Sequence, residues 1–319
     1  AEFRAVNAQA QVVGTGGRAL SSRPLHLAIG IFDGVHLGHR AVVESAISSA
    51  RQCGGAAAVL TFDPHPSRLF RPESPTRLIL DAGRRAQRLL ALGADAVITQ
   101  PFTAEYASME AEAFLPELRR QLPMLAAVYV GENWRFGRGR RGDVAMLLAS
   151  GQAGGVHVFS APRVSLDGEP ISSSRIRALL ERGELARANS LLGYNYGCEG
   201  IVTPGRQLGR TIGFPTLNIP WAPELVPCLG VYVVRVRAPG DGDWLPAVAN
   251  YGARPTVETG AEPRLEVHLL TECPFFSGAF LEVEWLRFLR PERRFESLDA
   301  LRLQLNRDCE AARAEFSLH

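Results

Sequence analysis

The chain has 319 residues, which is enough for two domains that each bury a core of their own. Hydrophobic residues make up 46% and charged residues 21%, as in ordinary globular proteins, and a formal net charge of +2 argues against a nucleic-acid-binding surface spread over the whole molecule. The sequence contains no lysine, which excludes a P-loop lysine and Schiff-base chemistry.

The cysteines and the apolar segments indicate the compartment. Five cysteines are scattered along the chain and none forms a C-x-x-C pair, so neither a disulfide framework nor a zinc knuckle is predicted. The first residues lack the apolar core of a signal peptide, and no apolar run reaches the ~18 residues of a membrane span. We therefore expect a cytoplasmic protein with no membrane or nucleic-acid partner. The sequence leaves open whether the protein forms a homo-oligomer.

Short apolar runs alternate with helical patterns from residue 26 to about residue 160. Alternation of this kind, with unbroken apolar strands, predicts a doubly wound parallel α/β sheet that binds its ligand at the carboxyl ends of the strands. The predicted strands are 26–31, 57–62, 95–99, 125–131 and 156–160, and the predicted helices are 39–52, 81–93, 108–122 and 143–152.

The first predicted strand ends in a glycine-rich turn, residues 30–39, that carries two histidines. A helix should follow it directly, so backbone N–H groups and the positive end of the helix dipole would attract an anion such as a triphosphate. The imidazoles of His36 and His39 can add directed donors. Their spacing is similar to the H-x-G-H motif of the nucleotidylyltransferase superfamily, in which a nucleoside triphosphate is attacked at its α-phosphate.

Two other interpretations of the histidine pair stay open: packing, and a metal site. A zinc site would need a third ligand with recognisable spacing. His65 and Asp33 are candidates, but no cysteine lies near either of them in the sequence. Metal is therefore the minor option.

Three further segments carry candidate ligand groups. In residues 61–66 (TFDPHP) two prolines pre-set the backbone around a histidine, and the alternative is a rigid turn with that histidine exposed. Residues 131–143 interleave four arginines with glycines and two aromatic residues; RNA binding, a phosphate pocket and a solvated loop are all compatible with this pattern, and we favour a small-ligand loop. Residues 171–177 (ISSSRIR) open a helix, where the serines are caps and, with the arginines, an anion grip.

The rest of the chain has a different pattern. Alternating runs separated by Pro/Gly-rich turns, followed by one amphipathic helix at 298–316, predict a small antiparallel β-barrel with a C-terminal helix packed against it. The runs are 198–203, 231–238, 244–251, 264–270 and 280–289. A short helix at 184–192 ends at Gly193, so the predicted domains are 1–193 and 194–319.

Within the predicted barrel, residues 205–218 stand out. Three glycines at four-residue spacing let the backbone approach a ligand closely, and Thr216 and Asn218 then offer hard oxygen ligands on one face. A phosphate and magnesium site without lysine is one interpretation of this segment. A barrel corner that needs glycines is the other.

Glu266 is a second candidate residue in the predicted barrel. Alternation places it on the face opposite Leu265, Val267 and Leu269. If those three residues belong to the core, Glu266 faces the outer or ligand side of the barrel. Most glutamates in such positions are solvated, and only the nearby Thr-x-Asn pair favours a role for this one.

Taken in order, these motifs resemble the bacterial bifunctional riboflavin kinase/FMN adenylyltransferases, also called prokaryotic-type FAD synthetases. The segments that carry the resemblance are 30–39, 61–66, 131–137, 171–177, 205–218, 230–232, 254–256, 266–268 and 295–298. The resemblance implies an α/β nucleotidylyltransferase domain that joins AMP from ATP to FMN and releases pyrophosphate, followed by a β-barrel domain that phosphorylates riboflavin with ATP.

The same resemblance implies the site residues. Catalytic roles fall to His36, His39 and Glu266. Nucleotide and phosphate contacts fall to Gly30, Phe32, Asp33, Gly34, Asn133, Ser172, Ser173, Arg175, Arg177, Gly205, Gly209, Arg210, Gly213, Thr216 and Asn218. Flavin contacts fall to Phe62, His65 and Arg254, and Thr216 and Asn218 would also hold Mg²⁺. ATP is the implied co-substrate, and riboflavin, FMN and FAD are the implied substrates and products.

The sequence departs from the commoner family pattern at a few positions, and two alternatives to the bifunctional enzyme remain. Ile31 stands where asparagine is frequent, and the Asn133-Trp134 pair stands where Asp-Phe is usual. The chain could be an adenylyltransferase alone, or a flavin-binding sensor without turnover. Thr216, Asn218 and Glu266 argue against the first alternative, and His36, His39, Ser172 and Arg177 argue against the second.

Overall fold

The computed structural model describes residues 11–14, 19–204, 212–240, 242–252 and 263–317. By its contacts the chain divides into two units, Ala1–Ser173 and Ser174–His319. The domain boundary predicted at Gly193 lies after two helices that this division assigns to the second unit, and it stays a prediction.

The first unit is built on a six-stranded sheet in the order β1-β4-β3-β2-β5-β6. Its strands are β1 (Gln11–Val13), β2 (Leu25–Ile29), β3 (Ala56–Asp63), β4 (Ala96–Pro101), β5 (Leu125–Gly131) and β6 (His157–Ala161). A separate two-stranded antiparallel sheet follows, formed by β7 (Ser165–Leu166) and β8 (Glu169–Pro170). The five predicted strands are confirmed and run parallel to one another. The edge strand β1 pairs antiparallel with β4 and was not predicted, because three residues are too few to show an alternating pattern.

The four long helices predicted for this unit are confirmed, with shifted ends. The helices are α1 (Ala19–Ser22), α2 (Leu37–Gln52), α3 (Ser67–Phe70), α4 (Ala82–Ala91), α5 (Ala104–Ala107), α6 (Ala111–Gln121) and α7 (Val144–Gly154). The helix expected from residue 108 starts at Ala111, because Ser108 closes the separate short helix α5 through N–H bonds back to its carbonyls. Single-turn helices were missed because they carry no periodic pattern.

The order of the strands locates the ligand cleft of the first unit. Strand β2 is buried at all five positions, and its neighbours are β3 on one side and β5 on the other. The direction of winding therefore reverses at β2, and ligands of doubly wound sheets bind outside the carboxyl ends of the strands at such a reversal. The glycine-rich turn between β2 and α2 lies at this point.

The second unit contains two helices, a six-stranded antiparallel sheet and the C-terminal helix. The elements are α8 (Ser173–Glu181), α9 (Leu185–Leu192), β9 (Gly197–Ile201), β10 (Leu217–Pro220), β11 (Gly230–Arg237), β12 (Leu245–Gly252), β13 (Arg264–Leu269), β14 (Phe280–Pro291) and α10 (Leu298–Ser317). The sheet order is β10-β13-β12-β11-β14-β9, and the Thr203 N–H donates to the Asn218 carbonyl over 2.8 Å, which links the two ends of the sheet. The predicted antiparallel β-barrel is observed as a near-barrel, and the predicted C-terminal helix is confirmed. The four-residue strand β10, which starts two residues after Pro215, was not predicted.

Two apolar layers hold this unit together. Inside the barrel, Trp285 is fully buried against the rings of Tyr232 and Tyr251. Outside it, Cys309 and Ala312 of α10 pack against the outer face of the sheet. Among the described helices, none combines the length and the apolar composition that a membrane span requires.

Candidate active sites

The turn after β2 has an unusual backbone. Phe32, Gly34 and Val35 have φ angles of 52°, 81° and 40°, and the two non-glycine residues are only 2% exposed. A buried β-branched residue in the left-handed region is a genuine outlier, and such strain persists only where the surrounding structure holds it. Strained turns of this kind are concentrated at functional sites.

His36 caps helix α2. Its Nδ1 accepts the His39 N–H over 3.2 Å, and the two imidazole rings stack with centroids 3.5 Å apart and an interplanar angle of 17°. Since Nδ1 is the acceptor, a neutral His36 carries its proton on Nε2, which makes that nitrogen a donor. The ring fits because Gly38 lacks a side chain: a Cβ there would lie 3.2 Å from His36 Cε1 and Nδ1.

The rest of the turn is tied to other segments of the first unit. Asp33 is 1% exposed and its Oδ1 accepts N–H groups from Ile79 and Leu80, while its main-chain carbonyl accepts the Ser173 hydroxyl over 2.9 Å. The ring of Phe32 packs on Gly30, where a Cβ would be 3.0 Å from the ring. The structure thus places Gly30, Phe32, Asp33, Gly34, His36, His39 and Ser173 together.

Three other predicted phosphate ligands lie near the end of the first unit and the start of the second. Ser172 is exposed at the end of the first unit. Arg175 and Arg177 lie on α8 in the second unit, where the Arg177 guanidinium donates to the Ser174 hydroxyl over 3.5 Å.

The predicted flavin ligands of the first unit lie at the carboxyl end of β3, Phe62 within the strand and His65 just after it. Phe62 is 7% exposed and packs against the rings of Phe102 and Tyr106, so it belongs to the apolar core cluster of this unit. His65 Nδ1 accepts the Ser67 N–H over 3.0 Å at the start of α3. That bond fixes the orientation of the imidazole.

The arginine-rich loop is held by ion pairs. Arg138 and Arg141 lie 3.3 and 3.7 Å from the Glu110 carboxylate, and Arg135 lies 3.3 Å from Asp143. Asn133 is exposed in the same loop. Three of the four arginines therefore have carboxylate partners within the unit. Because their charge is balanced locally, this loop does not favour a nucleic-acid-binding surface.

The second unit has a cavity of about 300 Å³ between the outer face of the barrel and helix α10. Strand register sets Asn218 opposite Glu266, and Glu266 opposite Asn250. Thr216 and Glu266 both line the cavity. The predicted facing of β13 is confirmed, because Leu265, Val267 and Leu269 are buried on the other side.

Polar contacts fix the walls of this cavity. His268 Nδ1 lies 2.8 Å from the Pro215 carbonyl, so it donates to the residue that precedes Thr216. Arg290 binds Asp308 of α10 at 2.7 Å. The Asn250 amide donates to Glu292 over 3.2 Å.

Sequence reasoning missed Asn250, Arg290 and Glu292 as cavity residues. Asn250 and Arg290 lie on strands whose pairing partners are distant in the chain, and Glu292 follows β14 directly. Cys309 also lines the cavity, and burial raises the pKa of its thiol. The thiol is therefore neutral at ordinary pH and is no nucleophile.

Some predicted ligands cannot be placed. Gly205, Gly209, Arg210 and Arg254 lie outside the described residues. Gly213 is described and has a φ of 87°, which favours glycine. Across the described ranges, no group of three or more His, Cys, Asp or Glu side chains is arranged to hold a metal ion.

Comparison with known proteins covers both units. Residues 19–175 match the FAD synthetase family, and residues 192–316 match the riboflavin kinase family. The bifunctional riboflavin kinase/FMN adenylyltransferase of Escherichia coli K12 is 37% identical over 292 residues, covering 92% of this chain and 93% of the relative. The Listeria monocytogenes EGD-e protein of the same name is 35% identical over 294 residues, covering 91% and 92%. A crystal structure described as a macrolide-efflux protein from Streptococcus pneumoniae is 29% identical, with a TM-score of 0.82 and coverage of 92% and 94%.

Fold and matches together define a two-domain transferase in which an FAD synthetase domain precedes a riboflavin kinase domain. The chain belongs to the family of bifunctional riboflavin kinase/FMN adenylyltransferases. It is a kinase for riboflavin and an adenylyltransferase for FMN, as the resemblance implied, and the single-activity and sensor alternatives find no support.

Proposed function

We propose that the two activities are carried out at two separate places: adenylylation of FMN at the turn around His36 and His39, and phosphorylation of riboflavin in the cavity around Glu266. The observation that carries this division is the position of Glu266. Strand register puts it opposite Asn218, on the sheet face that lines the cavity with Thr216. A carboxylate in that position serves only one of the two reactions.

Adenylylation requires donors and no base. The attacking FMN phosphate oxygen is already anionic at neutral pH; it forms a bond to the α-phosphorus of ATP as pyrophosphate leaves. The site must therefore neutralise charge. The Nε2–H of His36 and the N–H groups at the start of α2 would supply donors, helped by Gly30, Phe32, Gly34, His39, Asn133, Ser172, Ser173, Arg175 and Arg177.

Phosphorylation starts from a neutral alcohol. Glu266 would accept the proton of the ribityl hydroxyl of riboflavin. The hydroxyl oxygen then bonds to the γ-phosphorus of ATP as ADP leaves. Mg²⁺, when bound, neutralises phosphate charge. The Thr216 hydroxyl and the Asn218 amide oxygen are hard oxygen ligands of the kind that Mg²⁺ prefers. Asn218 is the cross-strand partner of Glu266.

The remaining ligands complete this proposal. Gly205, Gly209, Arg210 and Gly213 would contact phosphates of ATP in the kinase domain, and Phe62, His65 and Arg254 would contact flavin. We also propose a cytoplasmic location, in line with the five free thiols.

The experiment uses two variants of the whole chain. Glu266→Gln should abolish riboflavin phosphorylation and leave conversion of FMN to FAD nearly unchanged, whereas His36→Ala with His39→Ala should do the reverse. Losing one preorganised donor typically lowers turnover by on the order of 10²-fold. If either variant loses both steps while its circular dichroism spectrum stays native, the two-site proposal is wrong.

A further inference from the structure

Asp33 joins three segments that are far apart in the chain. Its Oδ1 accepts N–H groups from Ile79 over 2.9 Å and from Leu80 over 3.3 Å. Its main-chain carbonyl accepts the Ser173 hydroxyl over 2.9 Å. One residue therefore fixes the turn against residues 79–80 and against the segment that leads into α8.

The backbone on both sides of Asp33 needs such support. Phe32 precedes it with a φ of 52°, and Gly34 and Val35 follow with 81° and 40°. Left-handed dihedrals at non-glycine residues are unfavourable and persist only where other contacts over-determine the conformation. His36 and its cap on α2 come directly after this strained run. A small rotation of the turn would therefore move the imidazoles.

We propose that Asp33 is a positioning residue for adenylylation and that it acts as a hydrogen-bond acceptor through Oδ1. This inference rests on the proposed role of His36 and His39 at the same turn. Direct phosphate binding by Asp33 is unfavourable, since like charges repel, and the side chain is 1% exposed. Both N–H groups reach the same oxygen, and asparagine keeps one amide oxygen that can accept these two bonds.

The test compares Asp33→Asn with Asp33→Ala in the full-length enzyme. Steady-state kinetics of FAD formation from FMN give kcat and the KM for ATP, and riboflavin phosphorylation by the same samples reports on the second unit. We expect the Ala variant to lose about 10²-fold in kcat with a smaller change in KM, since misplacement of a donor by about 1 Å has an effect of that size. The Asn variant should stay within about threefold of the parent, because hydrogen-bond acceptance is preserved.

Amide hydrogen exchange supplies a readout independent of turnover. The N–H groups of Ile79 and Leu80 should stay protected in the parent and in Asp33→Asn, and should exchange faster in Asp33→Ala. If the Ala variant fails to fold, the Asn variant tests the proposal by itself. FAD formation within about threefold of the parent supports the proposal, and a loss of about 10²-fold overturns it.

A folded Asn variant that is as inactive as Ala would overturn the proposal, because the negative charge would then be what matters. An Ala variant that changes only the KM for ATP would overturn it too. The proposed location of adenylylation fails separately, if the His36→Ala, His39→Ala protein keeps that activity.

Discussion

Arg290 and Asp308 show how single residues shape the cavity of the second unit. Arg290 lies on β14 and lines the cavity. Its guanidinium nitrogens lie 2.7–3.1 Å from the carboxylate oxygens of Asp308 on α10. The side chains are 16% and 4% exposed. Removing one partner of such a pair leaves a buried charge without its counter-charge, whereas replacing both partners with apolar residues need not destabilise the protein.

We therefore expect Asp308→Ala to lower the free energy of unfolding of the second unit by about 3–5 kcal/mol. The double change Arg290→Met, Asp308→Leu should recover most of that loss. Urea unfolding followed by tryptophan fluorescence measures both, and FAD formation from FMN should stay near the parent rate as a control. A double variant that is no more stable than Asp308→Ala would contradict this expectation.

The residues that line the cavity of the second unit differ in how far the sequence predicts them. The facing of Glu266 follows from alternation within one strand, which is a local signal. Asn250 and Arg290 reach the same face from other strands, and register between distant strands leaves no trace in either segment. The strained dihedrals of Phe32 and Val35 are likewise invisible in their residue types.

At the scale of elements, the start of helix α2 combines a side-chain cap with the proposed adenylylation site. Gly38 is the second residue of this helix, and its missing Cβ leaves room for the His36 ring. Alanine there improves helix propensity by about 1 kcal/mol but forces the imidazole to move.

Gly38→Ala should therefore lower FMN adenylylation by about tenfold or more, as loss of preorganised donor geometry does, without lowering thermal stability. The matched control is Gly83→Ala, at the same second position of α4, where the added Cβ would meet only the Asp81 carboxylate at 3.3 Å. Coupled pyrophosphate release measures both variants. Equal activity of the two would show that the packing on His36 is immaterial.

Element length explains most differences between the predicted and the observed fold. Long buried strands and amphipathic helices were found because their patterns repeat over several turns or pairs of residues. Strands β1 and β10, with three and four residues, give no such repeat and are stabilised by pairing with longer neighbours, β4 and β13.

At the scale of the whole molecule, the division of the chain concerns α8 and α9. The family matches end at residue 175 and resume at residue 192, so they leave this helical segment between them. Within the second unit, Asn189 of α9 binds the Trp285 carbonyl and the Tyr196 N–H, and the Leu180 carbonyl of α8 accepts the Cys228 N–H.

A fragment of residues 174–319 should therefore be more stable than one of residues 194–319, which lacks Leu180 and Asn189. Lost hydrogen bonds of about 1 kcal/mol each, and the buried leucines of α9, set the direction of the difference. Thermal unfolding by circular dichroism compares the two. Equal melting temperatures would instead favour the predicted boundary at Gly193.

The most direct test of the two-site account is complementation between the two inactive variants. Each is given riboflavin and Mg-ATP, and FMN and FAD are separated by chromatography. Glu266→Gln alone should form neither product, and His36→Ala with His39→Ala alone should stop at FMN. An equimolar mixture of the two proteins should restore FAD formation, because FMN made by one can be adenylylated by the other. A mixture that forms no FAD while both proteins remain folded would contradict the assignment of the two reactions to separate sites.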